Sequence, residues 1–159
     1  YIIKPSSKVW SLNKTSIIQS PINMRKILVE KEAEFYETLK KINLAQKFYR
    51  FSNHWHPHRI DIVEDIQVHL AKIKGDFVWH KHEEEDELFF VQKGTLEMHF
   101  RDRMEIVEEG EMFVVPKGVE HCPKTRSGEE VHLLLFEKLT TAHTGNVVDE
   151  RTQTEYPTI

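Results

Sequence analysis

Between Arg59 and Glu137 the chain offers no room for a long helix. Short strand-like runs follow one another at intervals of roughly 8–12 residues, each cut by turn-forming residues. Ile66–Lys74 ends at Gly75, and Glu87–Gln92 ends at Lys93-Gly94. Thr95–Phe100 alternates Leu96, Met98 and Phe100 with polar partners, the period of a strand with one covered face. Met104–Val107 stops before Glu109-Gly110, Met112–Val115 stops at Pro116-Lys117-Gly118, and Val131–Glu137 is a nearly continuous apolar run. Glycine at such points supplies the backbone freedom that tight turns need. Six or more short strands of this kind predict an all-β sandwich or barrel.

The remainder has a different texture. Ser20 and Pro21 suit a helix start, and Ile27, Leu28, Phe35, Leu39 and Ile42 then recur on one stripe, which predicts a helix to about Lys41. Residues 42–58 carry Phe48, Tyr49, Phe51 and Trp55 and read as a lead-in segment that packs aromatics onto the main domain. The expected organisation is a partly helical extension at 1–41, the lead-in at 42–58, a barrel at 59–138 and a polar, irregular tail at 139–159. With 159 residues, 39% apolar and 30% charged, there is material for one core, not two. No apolar run reaches membrane-spanning length, and Tyr1–Asn13 lacks the basic-then-apolar pattern of a signal peptide. A net charge of −4 argues against nucleic acid as a partner. The single cysteine, Cys122, forbids an internal disulfide and fits a reducing, cytoplasmic setting.

Ten histidines stand out. His80 and His82 are two apart, so in extended backbone they share a face. A turn at Glu83–Asp86 brings Glu87 back beside them, and a second turn-and-strand unit from Gly110 ends on His121. Three imidazoles and one carboxylate make a mixed nitrogen and oxygen site for a divalent transition metal, with a position left open for water or substrate.

These stretches resemble the two signature motifs of the cupin superfamily. Gly75, His80, His82, Glu87 and Gly94 fit every spacing of the first; Gly110, Pro116, Gly118 and His121 fit the second, with Thr125 where an Asn is common. Ile42 through Trp55, Thr144-Gly145-Asn146 and Glu150-Arg151-Thr152 further resemble a group of small single-domain cupins labelled sugar-phosphate-isomerase-like. The resemblance implies a double-stranded β-helix, the jelly-roll barrel, with an α-helical N-terminal extension. It implies one metal ion (Fe, Mn, Ni, Co, Cu or Zn) on His80, His82, Glu87 and His121, a small-molecule ligand, and a homodimer. It also implies a metal-dependent enzyme, an oxygenase or isomerase, acting on a small oxygen-rich or carboxylated molecule. A non-catalytic metabolite-binding module and a structural protein stapled by metal are the alternatives.

Other features have plainer readings. His54, His56 and His58 would share a face if extended, but no motif ties a carboxylate to them, so an exposed or half-buried segment is expected. Glu83–Asp86 reads as a solvated turn, Cys122 as a small buried side chain directed away from the metal, and His99 as part of a solvated face with Glu97 and Arg101. Phe89 and Val91 share the Glu87 face and should wall the pocket. His69 and His132 lie in expected strands whose inward face the sequence leaves open.

Overall fold

The computed structural model describes residues 40–153 and 155–159, together with Lys26, Val29 and Glu30. The chain divides into two compact units, Tyr1–Lys41 and Ile42–Ile159. In the first, the helix expected over 20–41 lies mostly outside the described residues; Lys40 and Lys41 are described and not helical, and the others described are Lys26, Val29 and Glu30. Those three are helical, and Lys26 Nζ is 3.9 Å from the Glu30 carboxylate.

The second unit opens with a short helix, α1 (Leu44–Phe48), whose N-cap Asn43 accepts a hydrogen bond from the Gln46 N–H. Eight strands follow: β1 (His58–Val63), β2 (Ile66–Ile73), β3 (Glu87–Lys93), β4 (Leu96–Phe100), β5 (Met104–Val107), β6 (Met112–Val115), β7 (His121–Thr125) and β8 (Val131–Lys138). They form two antiparallel sheets, ordered β1-β2-β8-β3-β6 and β5-β4-β7. The chain is all-β, as the turn spacing predicts, and adopts the jelly-roll architecture that the cupin resemblance implies.

The two sheets enclose one core. Ala71 and Ile73 of β2, Phe89 and Val91 of β3, Leu133 and Leu135 of β8 meet Leu96, Met98 and Phe100 of β4 across the interior. Alternation sends the intervening residues outward. On the five-stranded sheet that outer face is covered too: Val68, Leu70 and Leu134 pack with Phe48 and Phe51 of the lead-in segment. Two covered faces explain why β8 reads as a continuous apolar run and not as a strict alternation. The lead-in segment therefore packs aromatics on the barrel, as its composition suggests.

A further piece of backbone joins the smaller sheet. After the turn at Gly75, the chain runs antiparallel to β7 with bridges Asp76↔Lys124 and His80↔His121. Phe77 N donates to Pro123 O, and His80 and His121 exchange both of their main-chain hydrogen bonds. The tail corrects one expectation. It is irregular, yet it folds onto the domain: His143 is 5% exposed and Thr144 fully buried, and Thr158 bridges to Arg59 beside β1.

Candidate metal centre

Each of the four chosen residues is placed by ordinary chain geometry. Gly75 adopts φ +80°, a conformation that a side chain would strain, and launches the segment that carries His80. The paired hydrogen bonds with His121 hold those two residues opposite each other, with ring centroids 4.2 Å apart. His82 follows two residues later, its carbonyl accepting the Gly118 N–H at 2.6 Å. Glu87 is the first residue of β3, opposite Val115 of β6. One donor atom from each of His80, His82, Glu87 and His121 lies within 4.8 Å of the others, and all four residues are buried.

Hydrogen bonds fix which nitrogen is free. His80 Nδ1 is 3.0 Å from the Val78 carbonyl, and His121 Nδ1 is 3.0 Å from the Val119 carbonyl. A carbonyl only accepts, so both rings carry a proton on Nδ1 and turn Nε2 toward the interior as the atom available for a ligand. His121 Nε2 lies 3.2 Å from the Glu87 carboxylate. His82 Nε2 lies 3.1 Å from the same oxygen and, among the described residues, has no partner in hydrogen-bond geometry. Protons shared with Glu87 can hold this arrangement, and a divalent ion can replace them.

Charge follows the same pattern. Burial pushes the Glu87 carboxyl upward, but the His121 and His82 imidazoles beside it outweigh burial and hold it well below the usual carboxylate range. Burial, with His121 second, lowers His80 to about 4, so its ring is neutral. His82 is also opposed by burial, yet Glu87 and Glu85 raise it above the ordinary histidine value. His80 is ready as a neutral ligand and Glu87 as a carboxylate, while a divalent transition ion would displace the proton that His82 favours.

Beside the quartet lies a second buried pair. His69 Nδ1 is 3.1 Å from Glu137, both side chains are fully buried, and Glu137 Oε1 has no hydrogen-bond partner among the described residues. Burial and the Glu87 charge raise the Glu137 carboxyl well above its ordinary value. His69 thus faces the interior. His132 does not: it stacks on Phe48 at 4.4 Å and pairs with Glu130 at 2.8 Å. His99 stays half-buried beside Glu97, 3.4 Å away. Phe89 and Val91 are buried on the Glu87 side of β3, and the Cys122 thiol donates to the Phe77 carbonyl.

The His54–His58 stretch departs from the extended reading. Trp55 takes φ +60°, which breaks the alternation. His54 instead binds Glu130 at 2.8 Å, and His58 is buried, stacked on Phe51 at 4.1 Å. In the acidic turn, Glu85 is half-buried with its carboxylate 3.7 Å from His82 Nδ1, and Asp86 accepts the Lys117 N–H. Sequence reasoning missed the contribution of the tail. Gly145 and Asn146 pack against Lys81, and His143 lines a cavity of about 30 Å³ together with His80 and Glu87. The Thr144-Gly145-Asn146 pattern was the available signal.

Comparison with known proteins fits this geometry. Residues 67–137 match the Cupin_2 family, described as a cupin domain. A cupin-2 domain containing protein from Shewanella frigidimarina NCIMB 400 is 44% identical; the match covers 61% of this chain and 93% of that one, with a TM-score of 0.59. Protein NMB1881 from Neisseria meningitidis is 35% identical over 62% of this chain and 99% of that one, with a TM-score of 0.56. The uncharacterized protein YdbB of Bacillus subtilis (strain 168) is 38% identical over 69 residues, 43% of this chain and 59% of that protein. A double-layered β fold with a buried three-histidine, one-glutamate cluster defines a cupin. The chain belongs to the cupin family, among its small cupin-2 domain proteins.

Proposed function

We propose that His80, His82, Glu87 and His121 hold one divalent transition metal ion, and that the chain is a metal-dependent enzyme acting on a small oxygen-rich or carboxylated molecule. The observation that carries this reading is the convergence of one ligand atom from each of four buried residues, His80, His82, Glu87 and His121, within 4.8 Å of one another. Such an arrangement is favourable around a cation.

When bound, the metal supplies Lewis acidity, or a redox centre if it is iron. The chain's own residues do the rest. The Val78 and Val119 carbonyls orient the His80 and His121 rings by accepting their Nδ1–H groups. Apolar side chains such as Phe89 and Leu135 line the cavity beside the quartet and exclude water. Burial and the Glu87 charge favour the protonated form of Glu137, so it adds no second charge beside the quartet.

Elemental analysis of the purified protein tests the assignment, with His121→Ala, Glu87→Gln and His56→Ala purified alongside. Metal in the wild type and His56→Ala, and its loss from the other two, is the expected result. Loaded His121→Ala and Glu87→Gln proteins would place the metal elsewhere or nowhere. Turnover separates an enzyme from a binding module, and unfolding upon chelation would favour a metal that only staples the barrel.

We further propose a homodimer. Met112 and Val114 on the edge strand β6 and Met104 and Ile106 on the edge strand β5 are exposed apolar side chains. An open edge with apolar flanks favours pairing with a second copy. A monomer mass by light scattering at micromolar concentration would overturn this. Among the described residues, no helix is long and apolar enough to cross a membrane.

A further inference from the structure

The cavity of about 30 Å³ lies inside the barrel, walled by Ala71, Ile73, Phe89, Leu133 and Leu135. It has room for roughly two water molecules or the end of a small ligand. Few polar side chains reach it. Trp55 gives its indole N–H to the Lys74 carbonyl, and His80 and Glu87 belong to the quartet. His143 remains. It is 5% exposed, and its Nε2 has no hydrogen-bond partner among the described residues.

The surroundings of His143 decide which nitrogen bears the proton. Tyr156 Oη donates its one proton to the Thr141 carbonyl and accepts the His143 main-chain N–H. Its 3.5 Å contact with His143 Nδ1 therefore needs the proton on nitrogen. Burial, the largest influence, lowers His143 to about 4 and keeps the ring neutral. A neutral ring protonated on Nδ1 presents Nε2 as an acceptor.

We propose that this cavity binds the hydroxyl-bearing end of a small ligand, and that His143 Nε2 accepts its O–H and selects for it. The inference deepens the metal-centre reading and rests on it in one respect: the ligand's carboxylate end would face the quartet. The apolar walls fit one or two carbon atoms and reject a second charge. An unpaired acceptor in an apolar wall penalises ligands that lack a donor, the strongest form of selectivity such a site can exert.

Glycolate and acetate, which differ by one hydroxyl, are suitable probes for the full chain loaded with Co²⁺. Isothermal titration should give glycolate about tenfold tighter than acetate, the effect of one buried hydrogen bond. His143→Phe should erase that ratio, because the acceptor that distinguishes the two ligands is gone. Equal affinities in the wild type, or an unchanged ratio in the variant, overturn the proposal. Repeating the titration without metal separates the two readings. A hydroxyl preference that needs His143 but not Co²⁺ keeps the assignment and discards the metal. A second measurement needs no variant or ligand: ¹⁵N–¹H correlation of the histidine rings should show His143 protonated on Nδ1, and a proton on Nε2 overturns the proposal.

Discussion

Asn146 pairs with Lys81 as one strand pairs with its neighbour. Its side-chain Oδ1 accepts the Lys81 N–H at 3.1 Å, and its main-chain N–H donates to the Lys81 carbonyl at 3.1 Å. Lys81 is the residue between His80 and His82, in a stretch outside the named strands. Fixing its peptide groups fixes the direction of both imidazoles. Asn146→Ala should therefore weaken metal binding about tenfold, as loss of an outer support does at other metal sites. Asn146→Asp keeps an acceptor and should retain most of the affinity. Competition with a chromophoric chelator measures both; equal affinity in all three proteins would show that Lys81 needs no such partner.

Gly145 makes a sharper demand. At φ +54°, a Cβ there would lie 2.3 Å from the Lys81 carbonyl oxygen and 3.3 Å from His80 Cδ2. Backbone, not a flexible side chain, stands in the way. Gly145→Ala should cost about 1–3 kcal/mol in strain and displacement, read as a lower thermal midpoint, together with weaker metal binding. A midpoint equal to wild type would mean the tail can shift away freely.

Metal affinity should fall with acid, and His82 sets where. Its pKa is raised by Glu87 and Glu85 against the pull of burial, whereas His80 lies at about 4. As pH drops, His82 gains a proton that the metal must displace, while His80 stays neutral. The apparent affinity should lose about tenfold per pH unit below the His82 pKa, one proton's worth. This is shallower than three equal imidazoles would give. A titration of affinity between about pH 5.5 and 7.5 reads the slope; no dependence on pH would contradict a histidine-held ion.

Glu137→Gln should remove a pH liability of the metal-free protein. The folded state holds the Glu137 proton above the pH at which the unfolded chain releases it. Wild-type stability should thus decline as pH rises above about 4.5 toward the folded value. The amide has no such proton to lose, so the variant's thermal midpoint should decline less over the same range. Parallel curves for the two proteins would refute a protonated Glu137.

Replacing His58 should harm the fold and spare the metal. Its ring is 7% exposed and stacked on Phe51, in the layer that covers the five-stranded sheet. His58→Ala should cost about 1–3 kcal/mol by denaturant unfolding with metal content unchanged. The sequence reading expects metal content to survive replacement of His58, because that residue lies outside both motifs.

What the sequence made legible was local. β5 and β6 match the expected runs residue for residue, since turn residues bound them on both sides. The quartet was legible through spacing. By contrast β1 and β7 carry mixed residues, HRIDIV and HCPKT, whose burial does not alternate cleanly. Their pairing partners, not their own pattern, make them strands. His143 and Asn146 were hidden for a related reason. They sit in a polar, aperiodic tail, and the burial of His143 and the pairing of Asn146 depend on residues some sixty positions earlier, which no window along the chain contains.

The tail bears on any attempt to transplant this site. The span that matches the cupin domain, residues 67–137, contains all four proposed ligands. Moved alone into another scaffold, it would carry the donor atoms but leave Lys81 without its strand-like partner and the cavity without His143. Such a graft would keep the signature and lose the setting that aims it, so a minimal portable unit extends at least to Tyr156, the residue that orients His143.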